Sequence, residues 1–198
     1  MTATYYWFAW TISIIAYFFI QKSRLKWKIL LFTGVSMSTY SLSFWNVQQH
    51  FYLHIAVLGF FGLIFWTSRK RGWIEHFWPF VLSIGYTSFQ LFFMINPVWL
   101  ELPGIQIGLI AVLLLLKYFC RDLEGLIGLW LVMVVIGTLC SHLIFSLYLD
   151  GGVFFNNQIL LLAVQGVIIL LIFHGLEKLK NINKKKRSQQ VNKGAALM

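Results

Sequence analysis

His50 and His54 stand four residues apart, a spacing that puts two imidazoles on one face of a helix. Two ring nitrogens so placed can share a metal ion, and His142 with Glu101 or Asp150 would complete a ligand set. The same rings titrate near neutral pH and can respond to protons. Against both stands the simpler reading, hydrogen-bonded structural histidines, and no metal or cofactor is assigned from this spacing.

A second set of chemistry-bearing groups precedes the pair. Laid on a helix at 100° per residue, Thr33, Ser36, Thr39, Tyr40, Ser43, Asn46 and His50 share an arc of about 140°. Ser38 and Ser41 lie off it. A stripe of small hydroxyls lets two membrane helices approach closely and bond to one another. It could also line a polar cavity, with His54 and His142 beyond it. Packing is the preferred reading, and a cavity is the alternative. Polar residues such as Tyr5, Tyr6, Gln48, Gln49, Gln90 and Gln106 gather at the same depth as the histidines, which would suit either a vestibule or ordinary helix ends.

Several catalytic patterns are missing. The chain has no HExxH, no GxSxG, no paired aspartates within an apolar segment and no lysine in the last apolar segment. Membrane proteases, lipases and ion-coupled pumps rely on such groups. No catalytic residue is assigned, and the reading leans against an enzyme.

The elements that must carry these residues follow from composition. Of 198 residues, 59% are hydrophobic and only 11% charged. Soluble domains carry about 25% charged residues. Much of the surface must therefore face something other than water, and a bilayer core of roughly 30 Å takes about 20 apolar residues per helix. Seven apolar segments can be marked, at about 4–20, 29–47, 51–67, 77–95, 103–119, 126–149 and 153–174. The expected fold is all-α, a polytopic membrane protein with a seven-transmembrane-helix bundle over 1–178. A single helix over 29–67 would be nearly 60 Å long by rise per residue, so a tight hairpin at Gln48-Gln49-His50 is expected.

Charge sets the expected orientation. With the N-terminus outside, the connections 21–28, 68–76 and 117–125 and the C-terminal tail hold all 16 basic residues. The outer connections hold none and carry Glu101 and Asp150. Basic residues stay on the cytoplasmic side of a bacterial inner membrane, so the C-terminus is cytoplasmic. The first segment lacks a basic n-region and is followed by QKSRLKWK, so it reads as an anchor rather than a cleaved signal. Tryptophans near segment ends, among them Trp7, Trp27, Trp66, Trp73 and Trp130, are expected in interfacial belts. Gly104 and Gly108 form a GxxxG pair that would permit a close helix contact. Cys120 and Cys140 lie at different depths and are not expected to bond.

Residues 179–198 are polar and basic, and read as a disordered cytoplasmic tail. Within it, Lys184, Lys185, Lys186 and Arg187 are positioned to meet anionic lipid heads. The tail is too short for a nucleic-acid partner to be expected.

Tyr5-Tyr6-Trp7 near the N-terminus, seven segments, about 200 residues and a lysine-rich tail resemble the YphA-like family of small multi-pass membrane proteins of endospore-forming Bacillus relatives. The resemblance covers the whole chain in layout. It implies a cell-membrane protein linked to assembly of the spore envelope, and it brings no catalytic residues. The expected function is that of a membrane partner or assembly factor acting with other membrane proteins. The alternative is a small transporter or channel, since three helices, one helix and three helices can form a parallel repeat around an outward-facing polar cavity.

Overall fold

A chain with so few charged residues must satisfy its backbone polar groups within its own helices wherever lipid surrounds it. The computed structural model describes residues 2–42, 47–96, 98, 104–120, 122–148 and 159–195, and among these every regular element is helical. The α-helices are α1 (Thr2–Phe19), α2 (Ser23–Ser41), α3 (Val47–Trp66), α4 (Trp78–Ile95), α5 (Gly104–Phe119), α6 (Leu123–Tyr148) and α7 (Ile159–Ala195). A 3-10 turn, Trp73–Phe77, leads into α4, and Pro79 sits in the first turn of α4, where its missing N–H costs no helical bond. Among the described residues, three stretches are long and apolar enough to cross a membrane by length and composition: Gln49–Trp66, Leu123–Leu147 and Ile159–Lys180.

Side-chain contacts fix the direction of the helices. Tyr5 stacks on Tyr40, Ser13 meets Thr33, and Lys26 lies over Tyr17, so α1 and α2 run antiparallel. Phe32 meets Phe61 and Phe65 while Tyr40 faces His54, so α2 and α3 are antiparallel too. Thr87 bonds Gly137 and Gln90 bonds Ser141, so α4 and α6 run parallel. One end of the bundle therefore collects tyrosines and histidines. The other collects the charged residues.

α6 is the centre. It packs against α3, α4, α5 and α7 among the described residues. From Gly125 to Val135 every residue is buried. Such an approach needs small residues at the crossings. A Cβ at Gly128 would meet the backbone of Phe65 and Trp66, and one at Gly137 would meet Tyr86 and the Ser83 carbonyl. On α7, Gly166 accommodates the Trp130 ring, whose Nε1–H donates to the Ala163 carbonyl at 3.0 Å.

Several expectations are corrected here. Gln48-Gln49-His50 is not a hairpin turn but the first turn of α3, because α2 stops at Ser41. There Ser41 Oγ donates to the Ser38 carbonyl and the Leu42 N–H closes a tight turn onto Thr39, both competing with continued α-helix. α2 starts at Ser23, so Arg24, Lys26 and Lys28 lie inside the helix; long side chains can carry their charges outward from there. Gly108 of the GxxxG pair has open space where a Cβ would stand, so the close contacts fall at other glycines. Trp66 and Trp130 are buried instead of belonging to a belt, since their indole N–H groups find protein acceptors. Trp7, Trp27 and Trp73 are exposed. Cys120 and Cys140 are both free. The backbone of 181–195, read above as disordered, continues α7; lysine, arginine and glutamine are good helix formers. The expected turn Asp150-Gly151-Gly152 lies outside the described residues.

Gly128→Ala should lower stability by about 1–3 kcal/mol, because backbone atoms cannot yield to the new methyl. Gly85→Ala, which meets open space, should leave stability unchanged or raise it by up to about 1 kcal/mol. Thermal unfolding midpoints in detergent micelles measure the contrast.

Candidate functional site

Three polar constellations can be built from these helices. The first is the hydroxyl stripe of α2. Thr33, Ser36 and Thr39 are buried and Tyr40 is half-buried, whereas Ser38 and Ser41 are exposed. Ser36 and Thr39 donate to carbonyls three residues back, Thr33 and Ser36 respectively, each at 3.0 Å. Thr33 Oγ1 lies 3.0 Å from the carbonyls of Ile29 and Leu30 and 3.2 Å from Ser13 Oγ on α1. The stripe thus returns its hydrogen bonds to its own helix and faces α1. Its continuation through Ser43 and Asn46 lies outside the described residues.

At the end of the stripe Tyr5 stacks on Tyr40, ring centroids 4.0 Å apart, and Tyr6 meets both edge-on. His54 is buried, parallel to Tyr40, and its centroid is 5.8 Å from that of His50. The Tyr5 hydroxyl points towards Ser36 without forming a well-aligned bond, and His54 Nε2 is likewise buried without one. His142 packs elsewhere, on Phe51 and on Tyr52, whose hydroxyl is 3.4 Å from His142 Nε2. The structure therefore brings His50 and His54 together and sets His142 among other residues. No group of three potential metal ligands forms among the described residues, and Glu101 and Asp150 lie outside them.

The second constellation joins α4 to α6. Gln90 Nε2 donates to Tyr86 Oη at 2.8 Å, and Ser141 Oγ reaches Gln90 Oε1. Thr87 Oγ1 is shared between the carbonyls of Ser83, at 2.8 Å, and Gly137, at 3.1 Å. Each donor ends on a neighbouring helix or on its own, which is how polar groups are retained in an apolar bundle.

The third lies at the charged end, and sequence reasoning did not find it. Arg71, in the connection after α3, has a side chain only 5% exposed. Its guanidinium lies 4.0 Å from the centre of the Trp66 ring and donates to the Trp66 carbonyl at 3.2 Å. It also reaches Cys120 Sγ at 3.0 Å, Asp122 at 3.5 Å and Glu75 at 3.8 Å. Five donors in a planar fork make arginine suited to this many partners. Asp122 accepts a bond from the Gly125 N–H at 2.9 Å, so the same carboxylate caps α6 and holds Arg71. Gly125 is small because the guanidinium occupies the space of a Cβ. Nearby, Lys28 of α2 bonds Glu124 of α6 and Ser68 after α3. Lys117 of α5 pairs with Glu177 of α7. Burial pushes the Cys120 thiol above its ordinary pKa, and the Arg71 charge offsets only part of that. The signal for this site was in the sequence: Glu75, Asp122 and Glu124 sit in connections otherwise reserved for basic residues.

The arrangement ties five helices at one end and presents no activated nucleophile. It fits a packed membrane protein, and the comparison agrees: the family model for YphA-like integral membrane proteins matches residues 2–196. The chain belongs to this family. No curated protein and no solved structure matches it significantly. For this family member the charged cluster is the most densely connected polar feature among the described residues.

Arg71→Ala leaves Asp122 and the Trp66 carbonyl short of a partner and should cost about 2–4 kcal/mol. A double-mutant cycle with Asp122→Asn should show non-additivity, since the two residues share one network. In the native protein, Cys120 should react with a maleimide slowly and only at a pH above that of a free thiol. Thermal unfolding and alkylation followed by mass spectrometry measure these effects.

Proposed function

We propose that the chain spans the bacterial cytoplasmic membrane seven times, with its N-terminus outside and its C-terminus in the cytoplasm, and acts there as a non-catalytic membrane partner or assembly factor. The observation that carries this reading is the use made of polar side chains: the stripe on α2, the α4–α6 seam and the Arg71 cluster all bond within or between helices. The outer surface is apolar, with Trp10, Phe18, Phe60, Leu63, Phe80 and Phe89 all at least half exposed, as a lipid-facing surface requires. The orientation is supported by the gathering of basic residues at one end. Assembly of the spore envelope is proposed as the setting from the family resemblance.

The transporter reading draws less support. A parallel repeat would give α2 and α6 equivalent surroundings. Among the described residues α2 packs on α1 and α3, whereas α6 packs on four helices.

Cytoplasmic reporter fusions after residues 70, 120 and 180 should be active and fusions after residue 100 inactive; the reverse pattern would refute the orientation. Cross-linking in intact membranes of a sporulating host should capture a reproducible membrane partner. Capture of none, with normal yields of heat-resistant spores in a deletion strain, would overturn the assembly role. Ser36→Ala, which removes a hydroxyl that donates to the Thr33 carbonyl of its own helix, should change stability by less than about 1 kcal/mol and preserve function in vivo. Loss of function with unchanged stability would instead mark the stripe as a working surface.

A further inference from the structure

The acidic residues are not spread evenly over the charged end. Glu75, Asp122 and Glu124 gather beside α3, α4 and α6, where they pair with Arg71, Arg69 and Lys28. Glu177 is taken by Lys117. On the side formed by α1, the start of α2 and α7, Lys22, Arg24, Lys26, Lys178 and Lys180 enter no ion pair among the described residues. Lys70 is the corresponding residue on the neutralised side. α1 packs on both α2 and α7, and Lys22 and Lys178 are among the charges felt by His174 on α7, so the start of α2 and the end of α7 belong to one side of this end. Among the described residues the unpaired positive charge of this end is thus focused on one side, although the sequence places basic residues in every connection at that end.

The surroundings of these lysines identify what they meet. Tyr17, Phe18, Phe19 and Trp27 are all at least 60% exposed on α1 and α2 at the same level, and Leu176 and Leu179 are exposed beside Lys178 and Lys180. Lys26 lies over the Tyr17 ring, 5.3 Å from its centroid. The apolar stretch of α7 ends at Lys180 after 22 residues, about 33 Å, which matches the hydrocarbon thickness. Bulky apolar groups alternating with cations at that depth suit a surface that is oily below and anionic above. A soluble acidic protein would leave the aromatic rings uncovered.

We propose that the α1–α2–α7 side of the charged end binds the headgroups of anionic lipids, with Lys22, Lys26, Lys178 and Lys180 holding the phosphates. The helical backbone of α7 continues past this surface to Ala195, and its sequence there adds Lys184, Lys185, Lys186 and Arg187 to the charge near the membrane. The inference rests on the seven-span reading, which places this end at a membrane surface. Its test is independent of orientation, because lipid preference is read in micelles.

Full-length protein in detergent is titrated with phosphatidylglycerol and with phosphatidylcholine, and bound lipids are counted by native mass spectrometry. The wild type should prefer phosphatidylglycerol. Each basic contact contributes about fivefold at the membrane surface, so Lys178→Gln with Lys180→Gln should reduce the preference about tenfold or more. Lys178→Arg with Lys180→Arg should retain it. The matched pair Arg69→Gln with Lys70→Gln, on the neutralised side, should change it less than about threefold. A full preference in the Lys178/Lys180 glutamine variant, or an equal loss in the Arg69/Lys70 pair, would overturn the proposal. Displacement of the lipid by millimolar inorganic phosphate would overturn it too, by showing a free-phosphate site. Should the glutamine variant not purify as a folded species, the wild type in about 1 M salt decides, since screening then acts within about 3 Å. A preference unchanged by salt would refute the electrostatic surface.

Discussion

The bundle is organised by the burial of one helix. α6 is enclosed by α3, α4, α5 and α7, and its first half has no exposed face. In lipid, no hydrophobic force drives helices together, so contact must come from close packing and hydrogen bonds. Gly62 and Gly128 admit α3 and α6 to each other, and Gly137 admits Tyr86 of α4. Gly166 does the same for Trp130, whose N–H then reaches an α7 carbonyl. Everything outside this core has one side free for lipid. This is why α1 can expose Trp7, Trp10 and Ile14 while burying Tyr5, Ala9, Ile12 and Ala16.

The ends of the bundle solve two different problems. At the charged end, connections must carry cations for orientation and still hold the helices in register. Arg71 does the second task by turning inward onto Trp66, Cys120 and Asp122, while Asp122 also caps α6. At the other end the order comes from rings: Tyr5, Tyr40 and His54 stack in sequence across α1, α2 and α3, with Tyr6 edge-on to the two tyrosines. The polar stripe connects the two without forming a path, since its hydroxyls bond the helix that bears them. The segregation of acids beside α3, α4 and α6 leaves the α2–α7 side cationic, so the same clamp that orders one half of the end also polarises the whole.

The outline of the α2 hydroxyl stripe was readable from residues, and what was not readable shares a cause. The arc containing Thr33, Ser36 and Thr39 follows from helix geometry alone, and Ser38 and Ser41 fall off it by the same geometry. What it touches did not follow, because that depends on which neighbour stands opposite. GxxxG at Gly104 drew attention by its spacing, yet Gly128, with no such partner, makes the tight crossing. Trp66 and Trp130 sit at segment ends where belts form, yet each found an acceptor and turned inward. Arg71 looked like one more topogenic charge among three in its connection; only the approach of α6 made it a buried one.

The sequence by itself determined the class of the molecule, the apolar stretches that become helices and the collection of every basic residue on alternate connections. These are local or additive properties: hydropathy sums along a segment, and charge sums over a loop. The tertiary structure decided which helix became the centre, which glycines carry the crossings and which of many cations is buried. Those depend on the rotation of each helix about its axis and on its neighbours, and a pattern along one chain does not contain the angle at which another segment meets it.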